Sequence, residues 1–332
     1  MKFGIGALRA LCIAAISALF VSCGGEELVP FSPARLLVFG DQASVIVAAA
    51  NPGEGRKYTI NAVDADTGVF VCDLNPIWVQ VLAFEYGISF RECPFPAEFA
   101  QVGYIRAMAG ATAGGSTDID LTAQVTRQLA LAADAGGGIN STDLVTVYIG
   151  VNDIVAAFER YKAGIISSDE AVAEAETAGE TLAQQINRIA EAGGKVIVST
   201  VPDVSVTPYA VTLGLEDPAY VTMLRNLTER VNARLLVTIN NDGRKIGLIE
   251  INPYVAAVIG NPLGYGYANV EDAACLEEVN DVPLPVLACT SNTLQPSATA
   301  ATWLWADALQ FGPQGHGQLG SLAASRARSQ PF

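Results

Sequence analysis

The sequence predicts a three-layer α/β/α sandwich around a central parallel sheet. Four runs of almost continuous apolar residues, at 36–39, 144–149, 195–201 and 245–251, are typical of strands buried on both faces of such a sheet. A fifth and weaker run lies at 102–107. Segments of helical character separate these runs, and the alternation of strands and helices favours this layered architecture.

The N-terminal segment has the pattern of an export signal. Basic residues flank an apolar stretch that ends at Phe20 and is too short for a membrane span, so residues 1–22 are predicted to be a signal peptide. The residues that follow resemble a bacterial lipobox, which implies lipidation of Cys23 and a membrane lipid anchor. Gly24 then implies an exported lipoprotein of the outer membrane, facing the periplasm or the cell surface. Cleavage by an ordinary signal peptidase near Ser22 is the alternative.

The remaining residues, 23–332, contain no linker-like segment and are predicted to form a single domain. Their clearest helix lies between the second and third apolar runs. Ser167 and Glu170 have the spacing of a capping box, and a Gly-Gly pair ends the helix. Its apolar face contains Leu182, Ile186 and Ile189. Because parallel strands end at one edge of their sheet, the residues after the apolar runs should meet in a crevice.

Two long segments, 51–76 and 265–301, interrupt the alternation of strands and helices. They are rich in Pro, Gly, Asn and Thr, so they are predicted to be insertions that cover or rim the crevice. Aromatic residues in and after the second segment either stack on a ligand or belong to the core. These residues are Tyr265, Tyr267, Trp303 and Trp305.

Four cysteines lie in the body of the protein. An oxidising compartment favours disulfides between them, and three pairings are possible. We predict the two local pairs, Cys72 with Cys93 and Cys275 with Cys289, because each is expected to close a loop within one insertion. A metal site is the alternative. The sequence has no Cys-x-x-Cys motif and a single histidine, so neither a metal nor a cofactor is predicted.

The chain is strongly acidic, with 34 acidic and 19 basic residues and a formal net charge of -15. Such a charge opposes association with phosphate backbones and anionic lipid surfaces, so no nucleic-acid partner is expected. Many exported proteins are acidic, and net charge alone does not indicate a cationic ligand.

Five motifs follow one another along most of the mature chain. They are Phe39-Gly40-Asp41-Gln42, Gly110 within 106–112, Gly150-Val151-Asn152-Asp153, the Pro-Asp segment at 201–208, and Asp307 three residues before Gln310. In this order they resemble the sequence blocks of the GDSL esterases and lipases, also called SGNH hydrolases. The resemblance implies a flavodoxin-like α/β/α fold and the hydrolysis of ester bonds. It also implies a small acyl-ester or carbohydrate-ester ligand.

The resemblance assigns roles to individual residues. The N-H of Gly110 and the side chain of Asn152 match the donors of the family's oxyanion hole, and Asp307 matches the catalytic acid. Gln42 stands where the family has its nucleophilic serine, and Gln310 stands where it has its catalytic histidine. Glutamine can replace neither, because its amide does not titrate near neutral pH and its oxygen is a weak nucleophile.

Two functions are compatible with these substitutions. The favoured one is a catalytically degenerate esterase, a cell-envelope lipoprotein that retains a ligand pocket for binding or assembly, with Gln42 hydrogen-bonded to Gln310. The alternative is an active ester hydrolase that uses non-standard residues such as Ser44 and His316, the only histidine. Otherwise, Ser44 is expected to hydrogen-bond the turn backbone, and His316 to pack in or cap the last helix.

Overall fold

A computed structural model of the protein describes residues 31–132 and 137–332. Its strands, in chain order, are β1 (Arg35–Gly40), β2 (Ile46–Val47), β3 (Arg56–Lys57), β4 (Ile88–Phe90), β5 (Ala100–Ile105), β6 (Asp143–Tyr148), β7 (Lys195–Ser199), β8 (Ile246–Ile249), β9 (Asn269–Ala273), β10 (Glu278–Val279), β11 (Val282–Pro283) and β12 (Trp303–Trp305). Residues Ser32–Phe332 form one compact unit. The predicted signal peptide, residues 1–22, and the predicted lipidation site, Cys23, lie outside the described residues.

Six of these strands form one sheet in the order β4-β5-β1-β6-β7-β8, and all neighbours are parallel. Leu36 of β1, for example, is paired with Gly103 on one side and with Leu144 on the other. The predicted sandwich with a central parallel sheet is therefore confirmed. The four strong apolar runs correspond to β1, β6, β7 and β8, and the weaker run corresponds to β5.

One strand of the sheet has no signature in the sequence. It is β4, which has only three residues and lies at the edge of the sheet, so it is too short for an apolar period to stand out. The remaining short strands form two-stranded sheets outside the central one, in which β2 pairs with β3, β9 with β12 and β10 with β11.

The helices flank this sheet. In chain order they are α1 (Trp78–Phe84), α2 (Leu121–Ala130), α3 (Val151–Lys162), α4 (Ser168–Glu191), α5 (Pro208–Glu216), α6 (Pro218–Thr238), α7 (Asn252–Gly260) and α8 (Pro313–Ser329). The predicted capping box begins α4, because the Glu170 carboxylate accepts from the N-H of Ser167 at 2.7 Å and the Ser167 hydroxyl accepts in return. Within the described ranges, no helix has the length and apolarity that a membrane crossing requires.

Apolar side chains cover both faces of the sheet. Leu37 and Phe39 of β1 pack with valines of β6 and with apolar residues of α2 and α4. Leu36 and Val38 alternate with them along β1 and are also fully buried. Because successive side chains of a strand point to opposite faces, β1 is enclosed on both sides. This burial fixes the strand whose carboxyl end leads to Gln42.

The two long insertions pack against each other through Asn61. Its Nδ2 donates to the carbonyl oxygens of Leu287 and Cys289 at 3.3 and 3.2 Å, and its backbone N-H donates to Cys289 at 2.9 Å. Ile60 lies beside Cys289 and Trp303 in a small apolar cluster. The two insertions therefore form one packed structure.

Both predicted disulfides are confirmed. Cys72–Cys93 joins residues 21 apart in sequence, and Cys275–Cys289 joins residues 14 apart. The first ties the 51–76 insertion to the residues after β4, and the second closes a loop within the 265–301 insertion. Over the described ranges, no group of His, Cys, Asp and Glu side chains has the arrangement of a metal site.

Candidate functional site

The candidate site lies at the carboxyl ends of β1 and β6. After β1 the chain forms β4 and β5 on one side of it and then crosses to β6 on the other side. Such a reversal opens a crevice beyond the strand ends of a doubly wound sheet, and ligands bind in crevices of this kind. Gln42 follows β1 and Asn152 follows β6, so both residues lie at this crevice.

A tight turn at the end of β1 presents Gln42. Gly40 has a φ of +142°, and a Cβ at this position would lie 2.1 Å from the carbonyl oxygen of Tyr148 in β6, so only glycine fits. The side chain of Gln124 in α2 accepts from the N-H of Gly40 at 3.0 Å and donates to its carbonyl oxygen at 2.9 Å. The conformation of the turn is thus fixed by the sheet on one side and by α2 on the other.

The buried carboxyl of Asp41 caps the 3-10 turn Gln42–Ser44. It accepts from the N-H of Ala43 at 3.0 Å. Burial raises the pKa of Asp41 to about 7, the hydrogen bond from Ala43 opposes this shift, and the charge of Asp153 adds to it. Asp41 therefore holds the turn and changes its charge near neutral pH.

A second turn, at the end of β6, presents Asn152. Gly150 precedes α3 with a φ of +128°, and a Cβ there would lie 2.5 Å from Cγ2 of Val201. Asn152 is the second residue of α3 and is half-buried. Its Nδ2 donates to the carbonyl oxygen of Ala111 at 2.7 Å, which fixes the orientation of the amide.

The amide of Gln42 lies between the two donors that the resemblance assigns to an oxyanion hole. Its Oε1 accepts from the N-H of Gly110 at 3.1 Å and from Nδ2 of Asn152 at 3.0 Å. Its Nε2 donates to Oδ1 of Asn152 at 3.1 Å. The Gln42 carbonyl thus uses the donors that would otherwise be available to the carbonyl oxygen of an ester.

The prediction of a hydrogen bond between Gln42 and Gln310 is wrong. The Gln42 side chain bonds to Gly110 and Asn152 instead. Gln310 is buried, and its backbone N-H donates to Oδ1 of Asp307 at 2.6 Å. The pairing with Asn152 is preferred because it satisfies the donor and the acceptor of the Gln42 amide at once.

Asp307, which the resemblance assigns as the catalytic acid, stabilises its own turn. Its Oδ1 accepts from the backbone N-H groups of Leu309 and Gln310 at 2.8 and 2.6 Å. Burial raises the pKa of Asp307, and these two hydrogen bonds oppose the shift. In a serine hydrolase such a carboxylate would orient an imidazole. Here the residue at the histidine position is Gln310, and its backbone N-H donates to the carboxylate.

Ser44 is fully buried below the turn. Its Oγ accepts from Nε1 of Trp78 in α1 at 3.1 Å, so its partner is an indole and not the turn backbone that we expected. Trp78 is itself fully buried. The hydroxyl of Ser44 therefore serves the packing between the turn and α1.

His316 is fully buried in α8, and neither ring nitrogen has a hydrogen-bond partner within the described part of the chain. Its ring packs edge-on against Phe311, with the ring centroids 6.3 Å apart. Burial lowers the pKa of His316 to about 3, and the charge of Lys57 adds to this shift. Ser44 and His316 thus form no hydrogen-bonded pair, and the imidazole packs in the last helix.

Lys57 is a buried cation close to this histidine. Its Nζ donates to the carbonyl oxygens of Cys72, Leu74 and Asn75 at 2.8, 2.6 and 2.9 Å. Burial lowers the pKa of Lys57 to about 7, and the charge of Asp73 opposes this shift. Because three acceptors match the three N-H bonds of an ammonium group, Lys57 holds the end of the first insertion in place.

Two carboxylates hold the loop that carries Gly110. Asp153 of α3 accepts from the N-H groups of Ala113 and Gly114, both at 2.8 Å. Burial raises the pKa of Asp153 to about 6, and these hydrogen bonds oppose the shift. Asp120 accepts from the backbone and hydroxyl groups of two threonines in the same loop. The position of the Gly110 donor therefore depends on both carboxylates.

Most of the aromatic residues expected near a ligand are core residues. Tyr267, Trp303 and Trp305 are buried, and Trp305 stacks on Phe311 with ring centroids 4.8 Å apart. Tyr265 is exposed. A ligand-stacking role is therefore wrong for the three buried residues.

The cavities differ in how close they lie to this crevice, and one of them is lined by Thr112, Gly114 and Asp153, which belong to the loop and helix beside it. Five of them within the described ranges have volumes of about 310, 220, 400, 380 and 430 Å³. None of these five is lined by Gln42, Asn152 or Asp307.

Gln124, Trp78 and Asp120 shape the site and were not identified from the sequence. Gln124 lies on the buried face of α2 beside Leu121 and Val125, and a polar residue on an apolar helical face is the signal that could have identified it. Trp78 supplies the partner of Ser44, but its place in sequence carries no sign of that contact.

The parallel sheet and the placement of Gly110 and Asn152 beside Gln42 at its carboxyl edge fit the scaffold of an SGNH-type hydrolase. The chain matches the family of GDSL-like lipases and acylhydrolases over residues 72–320, about three quarters of its length. It belongs to this family. The matched range begins after Gln42 and includes the four later motifs.

Twenty-nine chains of solved structures also match. One is the Bacillus subtilis protein YxiM, which is 15% identical with a TM-score of 0.37; the match covers 89% of this chain and 56% of that protein. Another is a mutant of Axe2, an acetyl-xylooligosaccharide esterase from Geobacillus, which is 14% identical with a TM-score of 0.37; the match covers 78% of this chain and 93% of that esterase. No curated protein matches the sequence.

Proposed function

We propose that this protein is a catalytically inactive member of the GDSL family that acts by binding or assembly at the cell envelope. The observation that carries the proposal is the position of Gln42, whose Oε1 accepts from Gly110 and Asn152 at 3.1 and 3.0 Å. Acyl transfer requires such donors to stabilise the oxyanion that develops on the carbonyl of the substrate. In this protein the chain's own carboxamide uses them.

The lack of proton-transfer groups also supports the proposal. A serine hydroxyl becomes an effective nucleophile when an adjacent imidazole takes its proton. Gln42 and Gln310 stand at the two positions concerned, and neither amide titrates in the range of enzyme activity. The only histidine is buried, and its pKa is lowered to about 3. The site therefore has neither the serine that would act as nucleophile nor the histidine that would act as general base.

The alternative, ester hydrolysis by Ser44 and His316, requires both side chains to leave their packing. Ser44 would have to give up its hydrogen bond to Trp78, and His316 would have to leave the core beneath α8. The features that favour hydrolysis are the retained Asp307 and the two oxyanion donors. In a serine hydrolase without its triad, such remnants give roughly 10³-fold to 10⁴-fold catalysis over water. With the donors occupied, less is expected here.

We also propose that the protein is an exported lipoprotein, anchored through Cys23 in the outer membrane and facing the periplasm or the cell surface. The two disulfides support an oxidising compartment. A small acyl ester or carbohydrate ester is the ligand class that family membership favours. Gln42 would keep the ester carbonyl out of the oxyanion hole, so such a ligand would be held without turnover.

The test is the hydrolysis of short-chain and long-chain acyl nitrophenyl esters by the purified mature protein with its disulfides intact. The natural protein should not exceed the uncatalysed rate. A variant with both Gln42→Ser and Gln310→His should gain turnover, because it restores nucleophile and base and frees the donors. Asp307→Ala added to that variant is the matched control and should remove the gain.

Ester turnover by the natural protein would contradict the proposal if Ser44→Ala or His316→Ala abolished it. In that case a relocated catalytic pair would be at work, and the alternative function would be correct. The same preparation of each variant should retain cooperative unfolding, so that a loss of turnover reports on chemistry and not on folding.

A further inference from the structure

A cavity of about 310 Å³ lies beside the edge strand β4, away from Gln42. Helix α1 lines it with Gln80 and Phe84, and Glu85 lines it directly after the helix. The segment after β4 lines it with Cys93 and Phe95. Its volume is at the lower end of the range for small-molecule sites, which fits one ring with a short chain. None of its lining residues belongs to the candidate site described above.

The walls of this cavity are fixed by covalent and hydrogen bonds. The Cys72–Cys93 disulfide joins the two sides. Nε2 of Gln80 donates to the carbonyl oxygen of Cys72 at 3.1 Å, while its Oε1 accepts from the N-H of Ile77 at 3.0 Å. Lys57 holds the same carbonyl oxygen of Cys72 at 2.8 Å. A ligand would therefore enter a preformed site and would not have to order it.

Two partly exposed phenyl rings belong to the lining. Phe84 is 60% exposed and Phe95 is 42% exposed, whereas Phe90 is buried in β4. Aromatic rings that remain exposed beside a concave site offer apolar surface to a ligand. Their faces also attract organic cations.

The charged groups of the lining are both acidic. They are Asp73 and Glu85, and the lining contains no lysine, arginine or histidine. Glu85 forms an ion pair with Arg328, which is not part of the lining. Asp73 is exposed, and the cation that acts on it, Lys57, is buried and bonded to three carbonyl oxygens. A cation in the cavity would meet the exposed carboxylate of Asp73, and the lining offers no basic side chain to an anion.

We propose that this cavity binds a small organic ammonium ion with an apolar body. The apolar body contacts Phe84 and Phe95, and the ammonium group lies next to Asp73. The small volume of the cavity favours a compact ligand over a bulky one. Its aromatic rings favour an apolar body over a strongly polar one, and its acidic groups favour a cation over an anion. The inference goes beyond the proposed function and does not depend on it.

The test compares three probes of similar shape by ligand-observed NMR titration of the mature, disulfide-bonded protein near neutral pH. They are phenethylammonium, 2-phenylethanol and 3-phenylpropionate. Phenethylammonium should bind tightest, the alcohol about twofold to fivefold more weakly, as expected for one exposed charge pair, and the carboxylate weakest of all. Added salt should reduce the difference between the first two probes.

Two substitutions locate the binding. Asp73→Asn should lower the affinity for phenethylammonium to that for the alcohol and leave the alcohol unchanged. Asp66→Asn is the matched control, since Asp66 is an exposed carboxylate in the same insertion outside the lining. Phe95→Ala should weaken both probes.

Three results would overturn the proposal: no binding of phenethylammonium, equal affinity for all three probes, or an affinity for phenethylammonium that Asp73→Asn leaves unchanged. Asp73 is exposed, so Asp73→Asn should fold normally and decides the question even if Phe95→Ala proves unstable.

Discussion

The side-chain amides of Gln42 and Asn152 hydrogen-bond each other in both directions. Nδ2 of Asn152 donates to Oε1 of Gln42 at 3.0 Å, and Nε2 of Gln42 donates to Oδ1 of Asn152 at 3.1 Å. Asn152 also donates to the carbonyl oxygen of Ala111, so a flip of its amide would lose this hydrogen bond. The N-H of Gly110 supplies a third bond to Gln42. The donors that the resemblance assigns to an oxyanion hole thus bind a carboxamide of the chain itself.

Gln42→Glu should destabilise the protein near neutral pH. The new carboxylate can still accept from Gly110 and Asn152, but its second oxygen would face Oδ1 of Asn152, acceptor against acceptor. Because the bond to Ala111 fixes the Asn152 amide, this contact cannot be relieved by a flip. We expect a loss of about 1–3 kcal/mol in the free energy of unfolding, measured by urea denaturation.

The loss caused by Gln42→Glu should depend on pH. A protonated glutamic acid can donate to Oδ1 of Asn152, so the pKa of this group in the folded protein is raised above its unfolded value of about 4.3. The favourable interaction is complete below the unfolded pKa and is lost as the pH rises through the folded pKa. Gln42→Ala is the control, because alanine carries no titratable group and its effect on the free energy of unfolding should not follow this pKa. If Gln42→Glu lowered the free energy of unfolding equally below the unfolded pKa and near neutral pH, the pairing of the two amides would be contradicted.

The sheet could be predicted because its strands are buried on both faces. In β1, Leu36 and Val38 face one layer while Leu37 and Phe39 face the other, so the run is continuously apolar and easily recognised. The three-residue strand β4 gives no such signal. The local disulfides were predictable as well, because the loops that they close are short.

The contacts inside the site could not be predicted from sequence in the same way. The motifs predict that Gln42, Asn152 and Gln310 share one crevice, but they do not tell which of the two side chains comes within hydrogen-bond distance of Gln42. Asn152 offers a donor and an acceptor at hydrogen-bond distance, and Gln310 does not. Trp78 was also missed as the partner of Ser44, since they are 34 residues apart and no local pattern links them.

Ser44→Ala should lower stability and leave ester hydrolysis at the background rate. The substitution removes the acceptor of the Trp78 indole N-H, which is buried and would be left without a hydrogen bond. We expect a loss of about 1–3 kcal/mol in the free energy of unfolding, measured by urea denaturation. Ser321→Ala, at an exposed position of α8, is the matched control and should change it by less than about 0.5 kcal/mol. An unchanged stability for Ser44→Ala would show that the bond to Trp78 contributes little.

Cys23→Ala should release the protein from the membrane. If Cys23 is lipidated, the natural protein expressed with its leader in a Gram-negative host should fractionate with the outer membrane, and its N-terminal peptide should carry the mass of acyl chains. The variant should lack this mass and appear in the soluble envelope fraction. Cys12→Ala, within the predicted leader, is the control and should behave like the natural protein. An unmodified Cys23 in the mature protein would instead indicate cleavage by an ordinary signal peptidase.

The free energy of unfolding should fall in acid because the buried imidazole of His316 resists protonation. The pKa of this buried imidazole is lowered to about 3, compared with about 6.5 in an unfolded chain, so the folded state favours the neutral form. The contribution is complete above the unfolded pKa and is lost as the pH falls through the folded pKa, by up to about 1.4 kcal/mol per pH unit between them.

His316→Leu isolates this effect from the other buried groups. Asp41 and Asp153, whose raised pKa values act in the opposite direction over part of the same range, titrate in both proteins and cancel in the difference. The leucine carries no ring nitrogens that would need partners, so the variant should lose stability more slowly than the natural protein as the pH falls from 6.5 towards 4. The measurement is urea denaturation of both proteins at several pH values. A difference in unfolding free energy that stays constant over that range would mean that the imidazole is solvated or hydrogen-bonded in solution, and that it remains available as a base after all.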